Sequence, residues 1–541
     1  MPNRRLRRLP LPNNTDNEYG RGGAVTADWV RVVMLEETTM NNLLSYCSGM
    51  AQADPVPLTS PCAAIGEIVD SRFFGDGFGT TESREIFCDL RRLQRWLDVE
   101  VALAESQAEL GMIPRPVAAQ LARRAKLDLL DLDAIKRGIA ETGHSLVPLL
   151  RAWQAAVGSE AAQYVHFGAT TQDIQDTAQS LEIRDSLALV ERDFLVVMGD
   201  LSQLAATHRD LVMVARTHGQ YALPTTLGLK IAVWIDEGLR NLERLERCKE
   251  SVLVAQLFGG VGTMAAFGTR GPELLERFAR KLRLGVPSTA WHSARDRIVE
   301  LLSVLAILTG SIAKIGNEII ALNQDEISEL SEPFVAGQVG SSTMPHKRNP
   351  ELSERVVALA KLVRNYASTA FDSLVAEHER DYRSVRLEWV TVTNSMLHTC
   401  AALDLMHVVL SGLVVNQENI CRHTEMSADT LCTEALMFHL GARCGKQTAY
   451  EIVYEASMRA REQHSNVVDE LLVDERVTAH FDRASLQAAV APRNYVGSAG
   501  IMVDRVVAQS RQRLARGSIE VPPPLSQCRL HRAGGCSVRL R

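Results

Sequence analysis

LEIRDSLALVERDFLVVMGDLSQL, residues 181–204, decides the fold. Ile183, Leu187, Val190, Phe194, Val197, Leu201 and Leu204 recur at three- and four-residue steps, the apolar stripe of an amphipathic helix. Residues 225–257 and 298–330 carry the same period, and no proline occurs between Pro224 and Pro272. Unbroken helices of this length bury their stripes against one another, so a long bundle is expected. Upstream, Leu90, Leu93, Leu97, Val101 and Ala104 mark a shorter helix that Gly111 and Pro114 stop. Downstream, a helical stretch runs from 417 to about 510, interrupted by Gly441, Gly445 and Pro492. Strand signals are weak everywhere, and there is no internal repeat.

The fold class expected is therefore all-α, with three helical domains and a long central helix bundle. The expected division is a poorly ordered extension at 1–65, with one short helix near 29–44, then an N-terminal helical domain at 66–170. The central bundle occupies 171–415, a C-terminal helical domain 416–520, and a Pro-rich, then basic, loose tail 521–541.

The 541 residues are 46% apolar and 23% charged, the balance of an ordinary globular chain, and far exceed what one small core needs. A net charge of −6 without a basic stripe argues against nucleic-acid binding. No uninterrupted run of 18 apolar residues occurs, so no membrane span is expected. The ten cysteines are scattered without a CxxC pair, which suits reduced thiols better than a disulfide framework. MPNRRLRRLPLPNN at the N-terminus has no apolar segment behind its arginines and is no secretory signal. A cytoplasmic enzyme is expected. HExxH and Walker patterns are absent, and GDGFGT at 75–80 has no strand before it, so no metal and no organic cofactor is expected.

Three loop-like segments interrupt the helical chain: HFGATTQDIQDTA at 166–178, ARTHGQYALPTT at 215–226 and GQVGSSTMPHKRNP at 337–350. Taken alone, Thr170 and Thr171 serve as an N-cap and His218 as a satisfied core histidine. The third segment is harder to dismiss. Its serines, glycines and prolines are costly to order unless something binds there.

GSSTMPHKRNP resembles the signature loop of the fumarase/aspartase superfamily, G-S-S-x-M-P-x-K-x-N, and the other two segments follow in that family's order. The resemblance covers about 81–510 and is nearest to the branch of adenylosuccinate lyase and 3-carboxy-cis,cis-muconate cycloisomerase. It implies anti β-elimination from a succinyl-type dicarboxylate with release of fumarate, in a homotetramer whose active sites are shared between subunits. Carried over by position, Ser341 is the base, His218 the general acid and Glu318 its carboxylate partner. Thr170, Thr171, Lys347 and Asn349 bind substrate carboxylates, with His144, Arg84 and Arg380 as further contacts. A serine can act as base only if backbone N–H donors and a cation stabilise its alkoxide.

Adenylosuccinate lyases follow their HERD segment with a serine five positions after its arginine and an arginine nine positions after, both holding the nucleotide phosphate. Here HERD stands at 378–381, and those positions are Val385 and Trp389, which cannot pair with a phosphate. The bacterial cycloisomerase lacks the histidine and glutamate that this chain keeps as His218 and Glu318. A small dicarboxylate with a nitrogen leaving group is the resulting expectation, nitrosuccinate first and an aspartate-like compound next. The cycloisomerase, adenylosuccinate lyase and an inactive structural homologue are the alternatives.

Overall fold

The computed structural model describes residues 67–334, 337 and 339–516. The expected extension at 1–65, its short helix and the tail at 521–541 lie outside these residues. Six helices come first: α1 (Thr81–Phe87), α2 (Asp89–Glu109), α3 (Arg115–Arg124), α4 (Leu132–Thr142), α5 (Val147–Val157) and α6 (Ser159–Ala162). Gly111, in the left-handed region at φ 69°, follows the end of α2.

The bundle consists of α7 (Thr171–Thr207), α8 (Leu227–Val252), α10 (Asp296–Leu322), α11 (Glu351–Ala370) and α12 (Tyr382–Ser411), with α9 (Gly271–Leu282) beside it. Eight further helices, α13 (Gln417–Met426) to α20 (Ala499–Arg516), complete the chain. The expected break at Gly441 does not occur, because Gly441 lies within the helix Thr433–Cys444. Gly445, at φ 84°, makes the break instead.

One reading needs correction. Residues 215–226 are not a simple loop. Val212–Thr217 (β1) and Gln220–Thr226 (β2) pair as an antiparallel hairpin. Its two turn residues, His218 and Gly219, have φ 53° and 75°, the double left-handed conformation that matches the twist of the flanking strands. Gly, Asn and Asp usually signal such a turn, and a histidine at its first position hid it. α10 is long and apolar enough to cross a membrane by length and composition, although a few polar residues interrupt its apolar run. In this fold the apolar length is spent inside the bundle, where Leu301, Leu302, Leu305, Leu308 and Ile319 are fully buried.

Core membership crosses the expected domain limits. Ile174, Ala178 and Leu181, in the first turns of α7, pack with α2, α3, α5 and α9 in one core. From Ile183 onward the same helix belongs to the bundle core. At the other end, Val503 and Val507 of α20 return to that bundle core, and Ser510 bonds Ser202 of α7 at 2.8 Å.

Residues 172–183 are buried on every side although they include Gln172, Asp173, Gln175, Asp176, Gln179 and Glu182. Burying such groups is tolerable only if each is bonded. Gln175 donates to Ser145 Oγ at 2.7 Å, Thr177 bonds both main-chain groups of Gln256 at 2.9 Å, and Glu182 accepts from Arg92 at 3.0 Å. Asp176 accepts from Gln172 and Gln256 and pairs with Arg295, which is fully buried beside the start of α10. Arg295 also binds Glu388 of α12. Burial opposes the charge of Arg295, but the two carboxylates outweigh it and hold the proton more tightly than usual. Arg295→Met should cost about 3–5 kcal/mol, because two buried carboxylates lose their counter-ion. Chemical denaturation of the purified variant measures this, and an unchanged midpoint would contradict it.

Candidate active site

The N-terminus of α7 gathers four of the expected substrate contacts. Thr170 precedes the helix and Thr171 opens it. Arg380, just ahead of α12, donates to Thr170 Oγ1 at 2.8 Å and to the Gly260 carbonyl at 2.7 Å. His144 accepts the Leu146 and Val147 N–H groups on Nδ1, at 3.3 and 3.1 Å. That leaves Nε2 facing Thr171 Oγ1 at 3.5 Å. Both recorded partners of Arg380 are neutral, so its charge is uncompensated among the described residues. A guanidinium, two hydroxyls and a helix N-terminus form a site suited to a carboxylate.

Asp173, fully buried, holds this arrangement in place. Its carboxylate accepts from the main-chain N–H groups of Thr170, Phe258 and Gly259, at 3.0, 2.9 and 2.9 Å, and bonds His292 Nε2 at 2.9 Å. The segment carrying the Gly260 carbonyl is thereby fixed to Thr170. Gly168 lets the chain enter, since at φ 82° an added Cβ would stand 2.4 Å from the Phe267 ring. Upstream, His166 bonds Glu100 at 2.6 Å; burial disfavours its charge, but that carboxylate outweighs it and raises the imidazole pKa.

The Ser341 segment is an exposed loop between β3 (Leu330–Ser331) and α11. Ser341 Oγ accepts the N–H groups of Met344 at 3.0 Å and Thr343 at 3.3 Å. These are the backbone donors a serine alkoxide requires. Asn349 Nδ2 donates to the Gly340 carbonyl at 2.7 Å, tying the loop's ends. A Cβ at Gly340 would lie 2.1 Å from the Lys347 carbonyl, so only glycine fits. The Lys347 side chain is exposed and has no acidic partner among the described residues. At the base, Glu332 caps α11 by accepting from Leu352 at 3.1 Å and Ser353 at 2.5 Å. Burial raises its pKa despite these bonds.

The remaining candidates make no contact with the Thr170 group among the described residues. His218 is exposed at its hairpin turn, and Arg216 anchors that hairpin through two bonds to buried Glu329, at 2.9 and 2.8 Å. The expected His218–Glu318 pair is not made in the single chain: Glu318 of α10 binds Lys230 of α8 at 2.6 Å. Arg84 pairs with Asp76 and does not join the Thr170 group. Among the described residues, no group of three or more His, Cys, Asp or Glu side chains could hold a metal ion.

A family model described as "Lyase" matches residues 79–364, and one described as "Adenylosuccinate lyase C-terminus" matches 429–506. The chain belongs to the fumarase/aspartase superfamily. It is an enzyme of that lyase superfamily. It is similar to an N-acetyl-S-(2-succino)cysteine lyase of Dickeya dadantii, 40% identical over 81% of this chain and 97% of that one. A 3-carboxy-cis,cis-muconate cycloisomerase of Acinetobacter baylyi is 36% identical over 82% and 99% of the two chains. The solved 3-carboxy-cis,cis-muconate lactonizing enzyme of Pseudomonas putida superposes with a TM-score of 0.76, at 34% identity over 82% and 100%. This likeness is to helical multi-domain enzymes, in keeping with the all-α expectation.

At the two positions where the superfamily's adenylosuccinate lyases hold phosphate, Val385 is buried and Trp389 is half-buried. Arg383 cannot replace them. It binds Asp381 and Glu377 and draws the Asp381 carboxyl down to about 2.

Sequence reading missed Asp173, His292 and Arg295. The third-position acid after Thr170 was the one available signal, since it completes a capping box. The other two become visible only when 256–295 folds back onto α7. Asp173→Asn places an amide against two main-chain N–H donors in place of an acceptor oxygen. It should lower kcat/KM for a succinyl substrate at least about tenfold, with circular dichroism unchanged. Unaltered steady-state kinetics would contradict the positioning role.

Proposed function

We propose that this enzyme eliminates a small leaving group from a 2-substituted succinate and releases fumarate, with an S-(2-succino) thioether as the leading substrate. The observation that carries this is Arg380, a guanidinium with only neutral partners, set between Thr170 and Gly260 beside Thr171. It suits a carboxylate of the succinyl part. Val385 and Trp389 offer no charged partner to a phosphate, which argues for a small leaving group over AMP. The 40% likeness to an N-acetyl-S-(2-succino)cysteine lyase supports sulphur as the bonded atom.

In this reading Ser341 Oγ, as alkoxide, takes the proton from the carbon next to the one bearing sulphur. The electron pair passes first into the adjacent carboxylate, held by Lys347 and Asn349, and then forms the carbon–carbon double bond as the C–S bond breaks. The sulphur leaves with its pair and takes a proton from His218, giving fumarate and a free thiol. Among the described residues no contact joins Ser341, His218 and Glu318, so the proposal includes a homotetramer in which neighbouring subunits complete each site. Nitrosuccinate is the second reading, favoured by the same lack of a phosphate site.

The test offers purified enzyme S-(2-succino)-N-acetylcysteine, nitrosuccinate, aspartate, adenylosuccinate and carboxymuconate separately, with assays for fumarate, thiol and nitrite. Equal amounts of fumarate and thiol are expected, and Ser341→Ala should lower the rate by about 10²–10⁴. Nitrite release would select the second reading. Lactone without fumarate would overturn the elimination and leave a cycloisomerase.

A further inference from the structure

We propose that Arg386 is a specificity-determining residue that binds a carboxylate carried by the leaving group. This rests on the thioether reading above and extends it to the other half of the substrate.

Arg386 is unlike the arginines around it. Arg295 is buried between two carboxylates, and Arg383 is paired with Asp381 and Glu377. Arg386 is exposed, with no recorded hydrogen bond or acidic partner among the described residues. Its guanidinium carbon lies 4.7 Å from the ring centre of Tyr382 and 4.8 Å from that of Trp389. These neighbours stand four residues before and three after it, so all three share one face of α12. Aromatic faces steady a guanidinium while leaving its in-plane N–H donors free, which removes much of the ordering cost of a bidentate bond.

Its place along the helix suits the leaving group. Two bonds lay the start of α12 alongside α7: Arg380 to Thr170, and Glu388 to Gln179 at 2.9 Å. Arg386 stands between these anchors, on the open side, about one helical turn or 6 Å into α12. The Thr170–Arg380 end takes a succinyl carboxylate, so an anion reaching Arg386 must belong to the group beyond the sulphur. Trp389 serves to hold Arg386.

The experiment compares two thioethers that differ in one group: S-(2-succino)-N-acetylcysteine, and S-(2-succino)-N-acetylcysteamine, which lacks the leaving-group carboxylate. Wild-type enzyme should prefer the first. R386Q should cut kcat/KM for the first by about 10- to 100-fold, mainly through KM, while the second changes less than about twofold. An R386Q effect equal on both substrates, or absent on both, would overturn the proposal even if wild-type enzyme cleaves both. If wild-type enzyme cleaves neither thioether, the underlying reading fails and this inference falls with it. R386K, which keeps the charge but not the fork, should recover only part of the preference.

Discussion

The guanidinium of Arg295 joins the three longest described helices. It sits beside the start of α10, binds Asp176 of α7 and binds Glu388 of α12, and it is fully buried. Two carboxylates against one cation leave a net negative charge in the interior. Gln172, Gln179 and Gln256 donate amide N–H groups to those carboxylates and take up the excess. A buried ion cluster is a poor source of stability compared with apolar packing, but it tolerates only one relative placement of its members. Glu388 and Asp176 each lie within a few turns of Arg380 and Thr170, so the same constraint fixes the two sides of the carboxylate cradle.

The chemistry is divided among separate elements. The cradle lies at the head of α7, the Ser341 loop runs between β3 and α11, and His218 caps an exposed hairpin. Among the described residues of one subunit no carboxylate pairs with the hairpin's histidine, and Glu318 is engaged by Lys230. Among the described residues, Lys347 and Arg386 are exposed cations without acidic partners. This distribution is intelligible if other copies of the chain supply the missing faces, as α10's exposed Ile307 and the open groove over Gly310, Ala313 and Lys361 also suggest.

Much of this was legible in the sequence because helix period and loop chemistry are local. The stripe from Ile183 to Leu204, the cluster of Thr170 and Thr171, and the serine loop each announce themselves within a few turns. The hairpin at 212–226 did not, since a left-handed His218 replaces the usual turn residues and its strands are short. The buried acids of α7 were also hidden. Asp173 and Asp176 look like an exposed helix face until their partners arrive from residues about 80 to 120 positions away, and no local pattern reports such pairing. The pairing of His218 with Glu318 was a family inference by position; the subunit itself pairs Glu318 with Lys230.

The central claim is that catalysis needs Ser341 and His218 from different copies of the chain. Mixing Ser341→Ala subunits with His218→Ala subunits, under conditions that let subunits exchange, tests it most directly. Each variant alone should be nearly inactive, and the mixture should regain a measurable fraction of wild-type fumarate release, because some sites then receive both intact residues. A mixture no more active than its components, with exchange verified by mass spectrometry of mixed oligomers, would contradict the account.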